Sequence, residues 1–418
     1  MKRRDFINKI GLSAGALAAA GLPSCVGSTE EAAQQTAGNR DTTEAKAPTV
    51  GIKTYTAIGA TGLKMSDVSM GCGGLDNPYV VDHGIDVGIN YFDTAPDYGS
   101  GGSERTLGKV FKDSSSKRDK CIIASKFCEE GRYGLHIATG TPAATYIEEV
   151  EKSLRRLNTD RIEFMMVHAI GERDNDKARL LDPEMLSAVT KLKEQGKILH
   201  LATSSHGPNK MEERLLDAIE SGHYAMFMPA MNFMEHPRLD EVLKKAKEKN
   251  VGVVAMKSLA GAKDEDLSKY RGEGTSLVEA AFKWLFTKPG VNGLVITMTS
   301  TADVDQYVAA SGKRFSAADQ KILDWYASDK ATEYCRTGCG DCLAHCPHGV
   351  ATAAILRYDM YFTSYRDHLK ALKEYRTLPR AMKPHACTEC DGPCTAGCKF
   401  GVPVRERMLQ AAERLEFA

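Results

Sequence analysis

Between about Thr54 and Ser316 the chain alternates short apolar runs with longer segments whose apolar positions recur at helical spacing. The runs cover residues 68–72, 91–94, 121–126, 162–168, 198–203, 225–229, 251–256 and 293–297. They are short and rich in branched and aromatic residues, as buried strands are. The segments between them, such as 146–157 and 185–194, collect their apolar residues on one helical face. Eight strand-like runs alternating with helices predict an α/β fold of the (β/α)8 barrel type over residues 51–316. An open doubly wound sheet requires a Gly-rich dinucleotide fingerprint after an early strand. Gly71-Cys72-Gly73-Gly74 has the wrong spacing for it. Past Ser316 the pattern becomes helical, with segments at 317–333, 354–362, 365–375 and 406–415, so residues 317–418 read as a second, mainly helical domain.

The first 50 residues fit neither pattern. Lys2-Arg3-Arg4-Asp5-Phe6 precedes a short Ala- and Gly-rich apolar stretch, the layout of an export signal over residues 1–25. The paired arginines before Phe6 resemble a twin-arginine signal. Leu22-Pro23-Ser24-Cys25 resembles a lipoprotein processing box, although Pro23 departs from the small residue usual there. Cys25 is then either an acylated N-terminus or a lone thiol. Residues 26–50 are nearly all polar or small and read as a flexible tether. The expected location is outside the cytoplasm, periplasmic or membrane-anchored through a lipid on Cys25. Lys+Arg and Asp+Glu both number 55, so no net field draws the chain to nucleic acid.

Eight of the twelve cysteines fall in two C-terminal blocks: Cys335, Cys339, Cys342 and Cys346, then Cys387, Cys390, Cys394 and Cys398. The blocks end alike, in C-LAH-C-PH-GV and C-TAG-C-KF-GV, a short internal repeat. Four thiolates so closely spaced can ligate a soft metal centre, and Pro347 after Cys346 favours iron–sulfur ligation. Two [4Fe–4S] clusters in a ferredoxin-like domain are expected. In two-cluster ferredoxins the last cysteine of each block serves the other cluster, so block and cluster membership need not coincide. Closed zinc sites, each made of four cysteine thiolates, and disulfides are the other readings. The twin-arginine resemblance reconciles the blocks with export, since that route carries proteins already folded around their cofactors. Cys72, Cys121 and Cys128 lie on barrel strands or their ends and read as small core residues.

Barrel strands present their C-terminal ends to the active site. Those ends carry Asp93, Lys126 and His168, with Tyr98 in the loop after Asp93. A lysine cation beside a tyrosine is expected to draw the phenol toward ionisation, a carboxylate to hold the lysine, and a histidine to orient a carbonyl. The stretch Gly88 to Gly99, GINYFDTAPDYG, followed by Ser103-Glu104 and Leu107-Gly108-Lys109, resembles the aldo-keto reductase signature. Ala124-Ser125-Lys126-Phe127, Ser153-Leu154-Arg155-Arg156-Leu157, Gly196-Lys197-Ile198 and Gly252-Val253-Val254-Ala255-Met256-Lys257 continue the match in order. The cysteine blocks resemble that superfamily's iron–sulfur branch.

The resemblance implies that Asp93, Tyr98, Lys126 and His168 are the catalytic four. Tyr98 would be general acid in carbonyl reduction and base in alcohol oxidation, with NAD(P) as hydride carrier. It places Ser204 and Ser205 near the nicotinamide carboxamide. The Gln usual after them is absent, and Asn232 is the candidate substitute. Asp303 stands in a segment lacking the usual basic residue for a 2′-phosphate, which weakens an NADPH preference. The partners implied are a small carbonyl or alcohol substrate and a redox protein. Two rival classes remain: an exported electron-transfer protein with a vestigial barrel site, and a structural protein with zinc in both blocks.

Overall fold

The computed structural model describes residues 50–131, 134, 136–171, 175–207, 210–234, 239–262 and 265–417. The expected export signal, Cys25 and nearly all of the expected tether lie outside the described residues. Eight parallel strands close into a barrel. They are β1 (Val68–Gly71), β2 (Tyr91–Asp93), β3 (Ile122–Lys126), β4 (Ile162–Ile170), β5 (Ile198–Ser205), β6 (Met226–Pro229), β7 (Gly252–Ala255) and β8 (Val291–Thr297). Each falls on one of the eight predicted runs, and β8 pairs with both β1 and β7 to shut the ring. A hairpin of Tyr55–Ala57 with Lys64–Ser66 precedes β1. Its Ile58 and Met65 are fully buried in the barrel interior.

Side chains alternate across a strand with period two, so each strand sends one column inward. The interior is filled by Tyr91 of β2, Ile122 and Ala124 of β3, Phe164 and Met166 of β4, and Ala202 of β5. Continuing these columns by two residues gives Asp93, Lys126, His168 and Ser204. The alternation that packs the core therefore also aims three candidate catalytic side chains at one end of the barrel. Full burial of an aliphatic or aromatic side chain contributes about 1.5–3 kcal/mol, so the register is strongly held.

Helices cover the strands outside. Gly102–Asp113 packs on Ala143–Leu157 at a backbone contact: a Cβ on Gly108 would lie 2.1 Å from the Arg156 carbonyl oxygen. Only glycine permits that approach. Behind it Glu104 is fully buried, accepting from Ser125 Oγ at 2.7 Å and Arg156 Nε at 2.6 Å. Residues 49–418 form one compact unit, so the C-terminal segment packs with the barrel. Its main helices are Ala317–Asp329, Thr352–Thr363, His368–Thr377 and Val404–Phe417. The cysteine blocks lie in short turns around Leu343–His345 and Pro393–Ala396. Among the described residues no helix is long and apolar enough to cross a membrane.

Candidate active site

Lys126 is fully buried and donates from Nζ to both Asp93 oxygens at 2.9 Å and to the Thr94 carbonyl at 2.8 Å. Its ammonium also bonds the Tyr98 hydroxyl and lies 4.5 Å from the centroid of that ring. An ammonium has three N–H donors, so these partners use its full capacity. The Tyr98 and His168 rings meet edge to face at 6.2 Å. Thus the structure brings Asp93, Tyr98, Lys126 and His168 together.

An irregularity in the strand adjoins His168. Pairing of β4 with β5 shifts register between Val167 and Ile170, and Ala169 takes a left-handed φ of 55°. That conformation costs a non-glycine residue roughly 1–2 kcal/mol. Ser204 Oγ accepts from the Ala169 N–H at 3.1 Å, and Arg179 donates to the His168 carbonyl at 2.7 Å. Such bulges re-aim a side chain. Here the bulge bends the strand just past His168, whose inward direction the alternation along the strand already sets.

Burial raises the Asp93 carboxyl and Lys126 draws it back down. For Lys126, burial opposes the charge, but Asp93 and Tyr98 outweigh it and hold the ammonium protonated. For Tyr98 the expected balance reverses. Burial raises the phenol far above its ordinary value, Lys126 lowers it only in part, and Asp93 and Asp97 raise it further. The phenol keeps its proton at neutral pH, as a proton donor requires. Burial, then Lys126, depresses His168 well below the usual imidazole range, so it is neutral.

His206 at the end of β5 is depressed in the same way, by burial first and then by Lys370 and Lys257. Below about pH 6.5 the unfolded chain binds protons that these folded imidazoles refuse. Their contribution to stability is present above that pH and lost as pH falls through the depressed folded values. Each histidine steepens the loss by up to about 1.4 kcal/mol per pH unit. Urea midpoints should fall from about pH 7 to about pH 5, and His206→Gln should flatten that slope.

A cavity of about 520 Å³ opens over Asp93, Asp97 and Tyr98. Its floor includes Met228, Met256 and Leu259, and its roof comes from the C-terminal segment: Tyr361, Tyr365, Arg366 and Lys370. Lys257 lies 4.1 Å from the Tyr365 ring centroid and Lys370 the same distance from that of Tyr361. Sequence reasoning missed this roof. The only local signal was two tyrosines four residues apart, one near the end of a helical segment and the other just past it. A larger cavity, about 660 Å³, is lined by Tyr334, Cys335, Arg336 and Arg357 and contains none of the four grouped residues.

The three residues expected to bind the nicotinamide do not line the cavity over Tyr98. Ser204 holds the bulge, and Ser205 Oγ donates to the Ile170 carbonyl at 2.7 Å. Asn232 is engaged on both sides: Nδ2 donates to the Tyr334 hydroxyl at 3.1 Å, and Oδ1 accepts from the Met234 N–H at 2.9 Å. Asp303 caps the helix Thr301–Val308 in a reciprocal pair with Ser300.

The two cysteine blocks interleave. Cys335, Cys339, Cys342 and the last cysteine of the second block, Cys398, line one small cavity. Cys346, the last of the first block, lies instead among Cys387, Cys390 and Cys394. All eight are free thiols, and no three of their sulfurs fall within 4.8 Å of one another.

The Aldo/keto reductase family model matches residues 79–269. L-galactose dehydrogenase of Arabidopsis thaliana is 25% identical over 285 residues, covering 61% of this chain and 86% of its own. Aldo-keto reductase YhdN of Bacillus subtilis is 29% identical over 319 residues, covering 65% and 92%. A solved structure from Pseudomonas aeruginosa, described as an aldo-keto reductase, superposes with a TM-score of 0.51 at 26% identity, covering 66% of this chain and 99% of that one. An aldo-keto reductase from Bacillus halodurans in its holo form shares the fold, with a TM-score of 0.53 at 24% identity, covering 65% and 95%. The chain is thus an oxidoreductase built on a (β/α)8 barrel. Its barrel is similar to those of the aldo/keto reductase family.

Proposed function

We propose that this protein interconverts a carbonyl and an alcohol, with Asp93, Tyr98, Lys126 and His168 as its catalytic residues. The observation that carries the reading is the Tyr98 hydroxyl bonded to a saturated, buried ammonium beneath a cavity. Tyr98 gives its proton to the carbonyl oxygen as negative charge develops there. Lys126, fixed by Asp93 and Thr94, stabilises the phenolate left behind. Neutral His168 donates to the same oxygen and orients it. A bound nicotinamide dinucleotide supplies the hydride. Lys257, Arg366 and Lys370 line the cavity with positive charge suited to its phosphates. Purified protein given NADH or NADPH with aldoses, lactones and simple ketones should consume the reduced dinucleotide. No turnover across that panel and no dinucleotide binding would defeat the reading.

We further propose that the C-terminal segment is a ferredoxin-like domain holding two [4Fe–4S] clusters. One would be held by Cys335, Cys339, Cys342 and Cys398, the other by Cys346, Cys387, Cys390 and Cys394. Four thiolates on one tetrahedral zinc would sit about 3.8 Å apart, closer than the sulfur spacing here. Such clusters exchange single electrons. The helix Thr352–Thr363 reaches both places: Leu356 lines the cavity of Cys335, and Tyr361 roofs the barrel site. Five residues of helix separate them, about 7.5 Å of rise. Replacing Cys335 and Cys398 together by Ser should remove one cluster and leave about four irons per chain out of about eight. If each block instead holds its own cluster, the same pair of changes removes both, and iron and sulfide analysis reads the difference. The reading is completed by export through the N-terminal segment, outside the described residues.

A further inference from the structure

Just past the candidate catalytic residues, three side chains converge that the reaction does not use together. Cys128 lies two residues beyond Lys126 and pairs through its backbone with His136, which closes the loop between them. Lys126 pairs with Met166 on the neighbouring strand, and Cys128 and His168 each follow two residues later. As a result Cys128 Sγ lies 3.6 Å from His136 Nδ1 and 3.5 Å from His168 Nδ1. All three donor atoms lie within 4.8 Å of one another. Zinc bond lengths of about 2.3 Å to sulfur and about 2.0–2.1 Å to nitrogen imply a tetrahedral S···N edge of roughly 3.5 Å. Both observed edges match it.

A second observation points to a cation. Asp97 is only 3% exposed, and its Oδ1 has no hydrogen-bond partner among the described residues. Its Oδ2 is 4.0 Å from His168 Nδ1 and accepts from the Gly134 N–H at 2.8 Å, bracing the loop that carries His136. Lys126 is already neutralised by Asp93. A divalent cation here would be balanced by the Cys128 thiolate and the Asp97 carboxylate, with no net charge left over.

We propose that Cys128, His136 and His168 form a zinc site at the mouth of the barrel, with a water in the fourth position facing Asp97. One sulfur with two imidazoles is a donor set suited to zinc, and three protein ligands with one open position is the arrangement of reactive rather than structural zinc. Ligation through Nδ1 fixes His168 as the tautomer with its proton on Nε2. The site stands on these three donors whether or not the barrel reduces a carbonyl.

The test uses the full chain with its C-terminal cysteines loaded with iron and sulfide. Zinc chloride alone, titrated against a chromophoric chelator, should fill one site with submicromolar affinity. X-ray absorption at the zinc edge should show one sulfur and two imidazole nitrogens. Cys128→Ser and His136→Ala should each weaken binding at least 100-fold. His136 is half-buried, so that variant decides the matter if Cys128→Ser does not fold. An all-sulfur shell, unchanged affinity in both variants, or no binding at micromolar zinc overturns the proposal.

Discussion

Tyr98→Phe should lower kcat for carbonyl reduction by about 10²- to 10⁴-fold, the contribution of a positioned general acid. That corresponds to about 2.7–5.4 kcal/mol of transition-state free energy. The substitution keeps the ring, so the contact of the Lys126 ammonium with its face persists, while the hydroxyl goes, and with it the proton and the bond to Lys126. Because that proton moves only as the carbonyl oxygen becomes negative, KM should change far less than kcat. The visible spectrum of the proposed iron–sulfur centres should be untouched, which separates this reading from a relay protein with an idle barrel. The phenol is held above its ordinary value, so reduction should also show no loss through neutral and mildly alkaline pH. A kcat within threefold of wild type would remove Tyr98 from the proposed role.

The barrel was legible because its strands are local in sequence and buried on both faces, which leaves near-continuous apolar runs. Asp93, Lys126 and His168 could be read from strand ends because the inward column is fixed by a period of two. The glycine of Leu107-Gly108-Lys109 and the acid of Ser103-Glu104 stand in the signature for reasons only packing reveals: a helix–helix contact and a buried carboxylate.

What could not be read depended on a third partner. Ser204, Ser205 and Asn232 carry polar atoms suited to a cofactor, but each is engaged by a neighbouring strand or by Tyr334, more than a hundred residues away for Asn232. Cys128 reads as a small core residue until the strand register places two imidazoles against it. The exchange of Cys346 and Cys398 between blocks was open from the ferredoxin pattern, and only the packing of the two turns shows it. The direction of the Tyr98 shift was misjudged because a sequence displays a charged neighbour but not the burial that opposes it.

The other large effect concerns stability. Lys126→Met should destabilise the fold by about 3–5 kcal/mol, the cost of leaving one member of a buried ion pair uncompensated. Asp93 would keep its carboxylate in a site where that side chain is only 6% exposed, and the Thr94 carbonyl would lose its donor. The carboxyl can relieve part of this by taking up a proton, so the variant should be least stable at high pH and recover as pH falls. Adding Asp93→Leu removes the stranded charge, and the double variant should regain most of the loss despite lacking both polar groups. Neither variant should turn over substrate, since a restored fold does not restore the ammonium beside Tyr98. Denaturant midpoints and kcat measured together therefore separate the two duties of Lys126. If the double variant is no more stable than Lys126→Met, the loss comes from packing around the lysine stem and not from the buried charge.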